Sequence, residues 1–265
     1  MLKDITLGPG NSIAHKLDPR TKILLVTLYI IALFSAKGWM GYAVMAVTLA
    51  ACVKVSHVGL RALVRGLKPL VFIIAFTGIL NMFFTPDTHY LWEWGILRVS
   101  MKGIENALFM VIRIMLLVMG TFLMTYTTSP IRLTDGLESL LNPLKKIHVP
   151  VHELAMMMAI ALRFIPTLIE ETDKIMSAQK ARGADFDSGN IFQKAKALVP
   201  ILVPLFISAF RRADELATAM ECRCYHGGEG RTKLHVLKYQ RRDYVALAGG
   251  VVILALVVVL RRLGT

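Results

Sequence analysis

Residues 151–183 read VHELAMMMAIALRFIPTLIEETDKIMSAQKARG. The stretch predicts one long helix, about 48 Å over residues 151–182 at the usual helical rise. Its first half, AMMMAIAL, is apolar, and charges dominate after Pro166. Pro166 removes a backbone donor in mid-helix and predicts a bend there. Such a rod belongs along, or obliquely in, a membrane face, with its charged end in the cytosol. Residues 192–223 repeat the design, apolar in ALVPILVPLFISAF, charged afterwards, with Pro200 and Pro204 in the first half.

The ends of the two rods match. From Asp173 the chain runs DKIMSAQKARG, and from Asp214 it runs DELATAMECRC. Both read Asp, any residue, Ile/Leu, any residue, Ser/Thr, Ala, two variable residues, Ala/Cys, Arg, Gly/Cys. Arg182 and Arg223 stand 223 − 182 = 41 residues apart. An arginine at a helix C-terminus presents a permanently charged planar fork. Two copies of one fork imply two copies, or two homologues, of one receiving surface. Ala181-Arg182-Gly183 and Cys222-Arg223-Cys224 are therefore candidate docking sites rather than catalytic ones.

The rest of the chain supplies a membrane. It has 265 residues, is 55% hydrophobic and carries a net charge of +13, with a mean hydropathy of +0.57. That combination indicates an all-α integral membrane protein. Apolar stretches at 23–34, 40–53, 69–84, 104–126 and 244–260 give about five spans. Lys3, Lys16, Arg20 and Lys22 precede the first, and Lys54, Arg61, Arg65 and Lys68 follow the second. Basic loops stay in the cytoplasm, which puts the N-terminus there. Arg261 and Arg262 then fall outside, against the charge rule. The division expected is 1–126 as a four-span membrane domain, 127–242 as a cytoplasmic coupling domain, and 243–265 as a final span. Loop 87–103, with Tyr90, Trp92 and Trp94, reads as an aromatic interfacial segment. The basic balance suits anionic lipid, and no basic patch interleaved with exposed aromatics points to nucleic acid.

No catalytic constellation is present. Gly227 to Lys233 lacks the lysine directly after its last glycine that a phosphate loop needs. His152-Glu153 opens a zinc-helix pattern, but position 156 is methionine. Cys222, Cys224, His226 and His235 are possible metal ligands, though the cysteines also stand where Ala181 and Gly183 do in the first copy. No metal, cofactor or signal peptide is expected. Arg113, two turns after Glu105, reads as its partner inside the bundle. Arg163, just before the kink proline, reads as structural. Met156, Met157 and Met158 suit either core filling or a surface that accepts differently shaped partners.

Several stretches resemble the transmembrane coupling component of energy-coupling factor (ECF) transporters. They are Leu17-Asp18-Pro19-Arg20-Thr21-Lys22, Leu162-Arg163-Phe164-Ile165-Pro166, Ala181-Arg182-Gly183, and Arg211-Arg212-Ala213-Asp214-Glu215-Leu216-Ala217 leading to Glu221-Cys222-Arg223-Cys224-Tyr225. The resemblance covers essentially the whole chain. It implies a coupling domain of three helices, near 129–142, 151–183 and 192–225, the two long ones crossing. Their arginine ends would insert into grooves on two ABC-type ATPase subunits. Arg163, Pro166, Asp173, Asp214 and Glu215 would support those helices. Their apolar faces, including Met156, Met157 and Met158, would cradle a separate membrane subunit that binds a vitamin or metal ion. The second motif departs from the family's usual Ala-Arg-Gly, and Cys224 lacks glycine's freedom in the left-handed region, so that helix is expected to end differently. The alternative is a conventional ABC permease forming its own path.

Overall fold

The computed structural model describes residues 12–85, 90–94, 97–147, 149–184, 186, 190–227 and 237–263. Ten α-helices run through the described residues: α1 Ile13–Lys16, α2 Pro19–Ser35, α3 Gly38–Ser56, α4 Leu60–Leu67, α5 Val71–Phe84, α6 Met101–Thr127, α7 Pro130–Leu141, α8 Val151–Ala181, α9 Ile191–Cys222 and α10 Arg241–Arg262. Tyr90–Trp94 (β1) and Leu97–Ser100 (β2) pair antiparallel, so the stretch expected to be a loop contains a hairpin.

Among the described residues, five helical stretches are long and apolar enough to cross a membrane: α3, Leu60–Phe84 (α4, a 3₁₀ turn and α5), α6, α8 and α10. The set differs from the expected one at two places. Helix α2 has only 17 residues. Helix α8 qualifies by length and composition. The basic loop 54–68 is largely helical too. α4 turns Leu63 and Leu67 inward while Arg61 and Arg65 stay exposed.

Local chemistry starts these helices where they start. Asp18 accepts from the Arg20 amide and Pro19 occupies the first turn of α2, where a missing donor costs nothing. Ser100 accepts from Gly103 at the head of α6. Gln240 and Asp243 form a reciprocal box at the head of α10.

Contacts divide the chain into two units, Met1–Leu140 with Val236–Thr265, and Leu141–His235. In the first, α2, α3, α6 and α10 close around Leu33, Met45, Leu63, Leu116 and Val257. Helices approach closely at glycines. Gly120 of α6 lies against the Tyr29 ring of α2, and a Cβ at Gly250 of α10 would come within 2.7 Å of Leu25. The Tyr29 hydroxyl then donates to the Leu116 carbonyl at 2.9 Å. Outside this core the bundle is apolar, with Phe72 78%, Val245 72% and Val252 65% exposed. Water does not tolerate that surface over several helices, whereas lipid does.

Arg113 does not pair with Glu105, which is exposed. Its Nε and Nη2 both donate to the Tyr42 hydroxyl, at 2.9 and 2.6 Å. The guanidinium also lies 5.7 Å from the Phe34 ring centroid. In an apolar bundle a hydroxyl and aromatic faces hold a cation without introducing a second charge to desolvate.

Candidate functional site: two matched helix ends

The second unit is built on α8 and α9. Glu171 accepts from Arg212 Nη2 at 2.7 Å, and this pair marks their crossing. The positions are 212 − 171 = 41 apart, the same offset that relates Arg182 to Arg223. Each arginine therefore lies 11 residues beyond the crossing, an arm of about 16–17 Å. On one side of the pair, Ile160, Phe164 and Leu168 of α8 face Ala209, Ala213, Leu216 and Met220 of α9 across a groove of about 290 Å³. Residues that precede the pair on α8 thus share the groove with residues on both sides of it on α9. With arms of that length the two arginine ends lie at most about 33 Å apart.

The two ends are the same structure. Gly183 has φ +85 and Cys224 has φ +51, both left-handed. In the first, Ala184 N donates to Gln179 O and Gly183 N to Lys180 O, each at 3.0 Å. In the second, Tyr225 N donates to Met220 O at 3.0 Å and Cys224 N to Glu221 O at 2.8 Å. Shifting by 41 superimposes these four partners. This is the Schellman closure, which satisfies carbonyls that a helix end leaves open. Cys224 thus ends its helix as Gly183 does, against the expectation from its side chain. The cost of a Cβ in this region, about 1–2 kcal/mol, is borne by the closing bonds. His226 Nδ1 adds one more contact, 2.8 Å from the Cys224 carbonyl oxygen.

The match extends upstream. Ser177 Oγ donates to Asp173 O at 2.8 Å, and Thr218 Oγ1 to Asp214 O at 2.9 Å. The recurring hydroxyl therefore bonds back along its own helix, four residues earlier. Arg182 and Arg223 occupy the residue before the left-handed position in each cap, and both are exposed. So are Ala181, Gly183, Cys222, Cys224, Asp173, Asp214 and Glu215.

Arg163 and Pro166 are exposed on α8, which runs unbroken through the proline. Neither lines the groove. Met157 and Met158 are exposed and Met156 is half-buried. Glu171 was not singled out by its sequence. The signal available was its place in Glu170-Glu171, opposite Arg211-Arg212 under the 41-residue shift. Among the described residues no three His, Cys, Asp or Glu side chains gather as a metal site needs. His235 and most of Gly227 to Lys233 lie outside the described residues.

An apolar helical bundle and a pair of long helices with duplicate exposed caps define an all-α membrane protein. The chain belongs to the cobalt transport protein (CbiQ) family, whose model matches residues 10–234. It is 52% identical over 263 residues to the energy-coupling factor transporter transmembrane protein of Ruminiclostridium cellulolyticum, covering 98% of each chain. The protein of that name from Clostridium kluyveri is 56% identical over 250 residues, 93% of each. The one from Bacillus subtilis is 47% identical over 264 residues, covering 98% of this chain and 100% of the relative.

Proposed function

We propose that the chain is the membrane coupling subunit of an ECF-type importer. It passes ATP-driven motion from two ATPase subunits to a separate membrane subunit that binds a vitamin or similar micronutrient. The observation that carries this is the pair of superimposable caps, each offering one exposed arginine. One fork on one cap suits a carboxylate-lined groove. Two equivalent forks on equal arms suit two equivalent or homologous grooves. The family and its relatives' printed names point the same way.

Residues 127–242 act as the coupling domain in this reading. The N-terminus and the basic loops lie on the ATP side, in the cytoplasm of a multi-pass cell-membrane protein. The apolar faces of α8 and α9, with Met156, Met157 and Met158, receive the substrate-binding subunit. Thioethers suit such a face because they adapt to different shapes. Hydrolysis belongs to the partner chains.

The test is co-purification of the ATPase subunits with Arg182→Ala, Arg223→Ala and the double variant. Truncating an interface hot-spot arginine costs ~2 kcal/mol or more, about 30-fold in affinity. Each single variant should bind ATPase more weakly and the double variant should lose it. Full retention by the double variant contradicts the proposal.

A further inference from the structure

The hexapeptide Leu17–Lys22 lies in the first unit, outside the two crossed helices, and among the described residues most of that unit's buried polar groups gather on it. Asp18, Thr21 and Lys22 are buried together with Thr127, Thr128 and Asp243. Lys22 Nζ donates to Thr127 O at 2.8 Å and to Thr128 Oγ1 at 3.0 Å. Those two residues are where α6 ends and the chain turns into α7, its last element before the second unit. Gly136 of α7 packs directly on the hexapeptide: a Cβ there would lie 3.0 Å from Pro19 Cβ and 3.3 Å from Arg20 N.

Arg20 serves the return path. Its Nη2 donates to Leu237 O at 2.6 Å, and its guanidinium sits 4.8 Å above the Tyr239 ring. The Asp18 carboxylate, 3.4 Å from Arg20 Nε, steadies the fork. Leu237 and Tyr239 belong to the stretch by which the chain comes back from the second unit. Asp243 then closes the ring: one oxygen caps α10 through Gln240 N, and the other accepts from Asp18 N at 2.9 Å.

One short segment thus grips both strands that connect the units, the outgoing through Lys22 and Pro19, the returning through Arg20 and Asp18. We propose that Asp18, Arg20 and Lys22 are positioning residues forming a joint within the first unit, which anchors both connecting segments there and so passes motion of the crossed helices into the bundle. The inference rests on the coupling function proposed above. The buried hydrogen bonds of Asp18, Arg20 and Lys22 fix direction as well as proximity, where an apolar contact of equal area would let the segments slide. Without the joint, ATPase motion would be absorbed as slack at the two connections.

The test uses the full complex, reconstituted in liposomes, with Arg20→Met and Lys22→Met, which keep the side-chain stems and remove the donors. Uptake of tritiated B-vitamins and of radioactive cobalt(II), each offered separately, is divided by ATP hydrolysed. The joint predicts that ATPase subunits still co-purify while uptake per ATP falls at least ten-fold. Should either variant fail to accumulate, Gly136→Ala takes its place, adding one methyl against Pro19; uptake per ATP should fall about three-fold. An unchanged ratio in the variants, with normal uptake by the unsubstituted complex, overturns the joint alone. No ATP-driven uptake by the unsubstituted complex overturns the coupling function, and the joint with it.

Discussion

Cys224 holds a conformation that suits glycine, in a cap otherwise identical to the one ending at Gly183. Cys224→Gly should stabilise the last turn of α9 by about 1 kcal/mol, the cost of a Cβ in the left-handed region. Hydrogen exchange of the Tyr225 amide should slow about five-fold; faster exchange would show that the cysteine itself holds the cap. Tyr42→Phe tests another single residue. It removes the oxygen that accepts both Arg113 bonds, and a lost hydrogen bond to a charged group costs about 1.5–3 kcal/mol. Adding Arg113→Met to Tyr42→Phe should recover part of that loss, whereas Glu105→Gln should leave thermal stability in detergent within about 0.5 kcal/mol. The repeat made the arginine positions legible, because a periodic pattern survives translation along the chain. Arg113's partner was not legible. Helical periodicity pairs Arg113 with Glu105 on one face, but the acceptor is 71 residues away, on α3.

Among elements, the long helices could be read because apolar runs of bilayer length and charged tails leave little choice of form. Their packing could not, since it depends on where small residues let backbones approach. Gly120 illustrates this: it is an ordinary residue of α6 by sequence, yet the Tyr29 ring fills the space its side chain leaves. Gly120→Leu should separate α2 from α6, break the Tyr29 bond to Leu116 and cost about 1–3 kcal/mol by overpacking. The readout is the unfolding temperature in detergent, and an unchanged value would mean the two helices do not depend on that approach. In sequence α4 looks like a loop because Arg61 and Arg65 mask its apolar stripe. Only Leu63 and Leu67, a turn apart, reveal it.

At the scale of the whole chain, the duplicated sequence becomes a duplicated geometry. Glu171 and Arg212 are equivalent positions under the 41-residue shift, and they meet each other. That meeting makes the arms equal and turns a repeat in sequence into two alike ends. The resemblance implies the crossing but not the Glu171–Arg212 pair that joins the two helices, because an ion pair between helices depends on their packing. The most direct measurement is native mass spectrometry of the complex purified through this chain. The account predicts two ATPase subunits bound per chain, and none when both Arg182 and Arg223 are alanine. Two ATPase subunits retained by that double variant would contradict it.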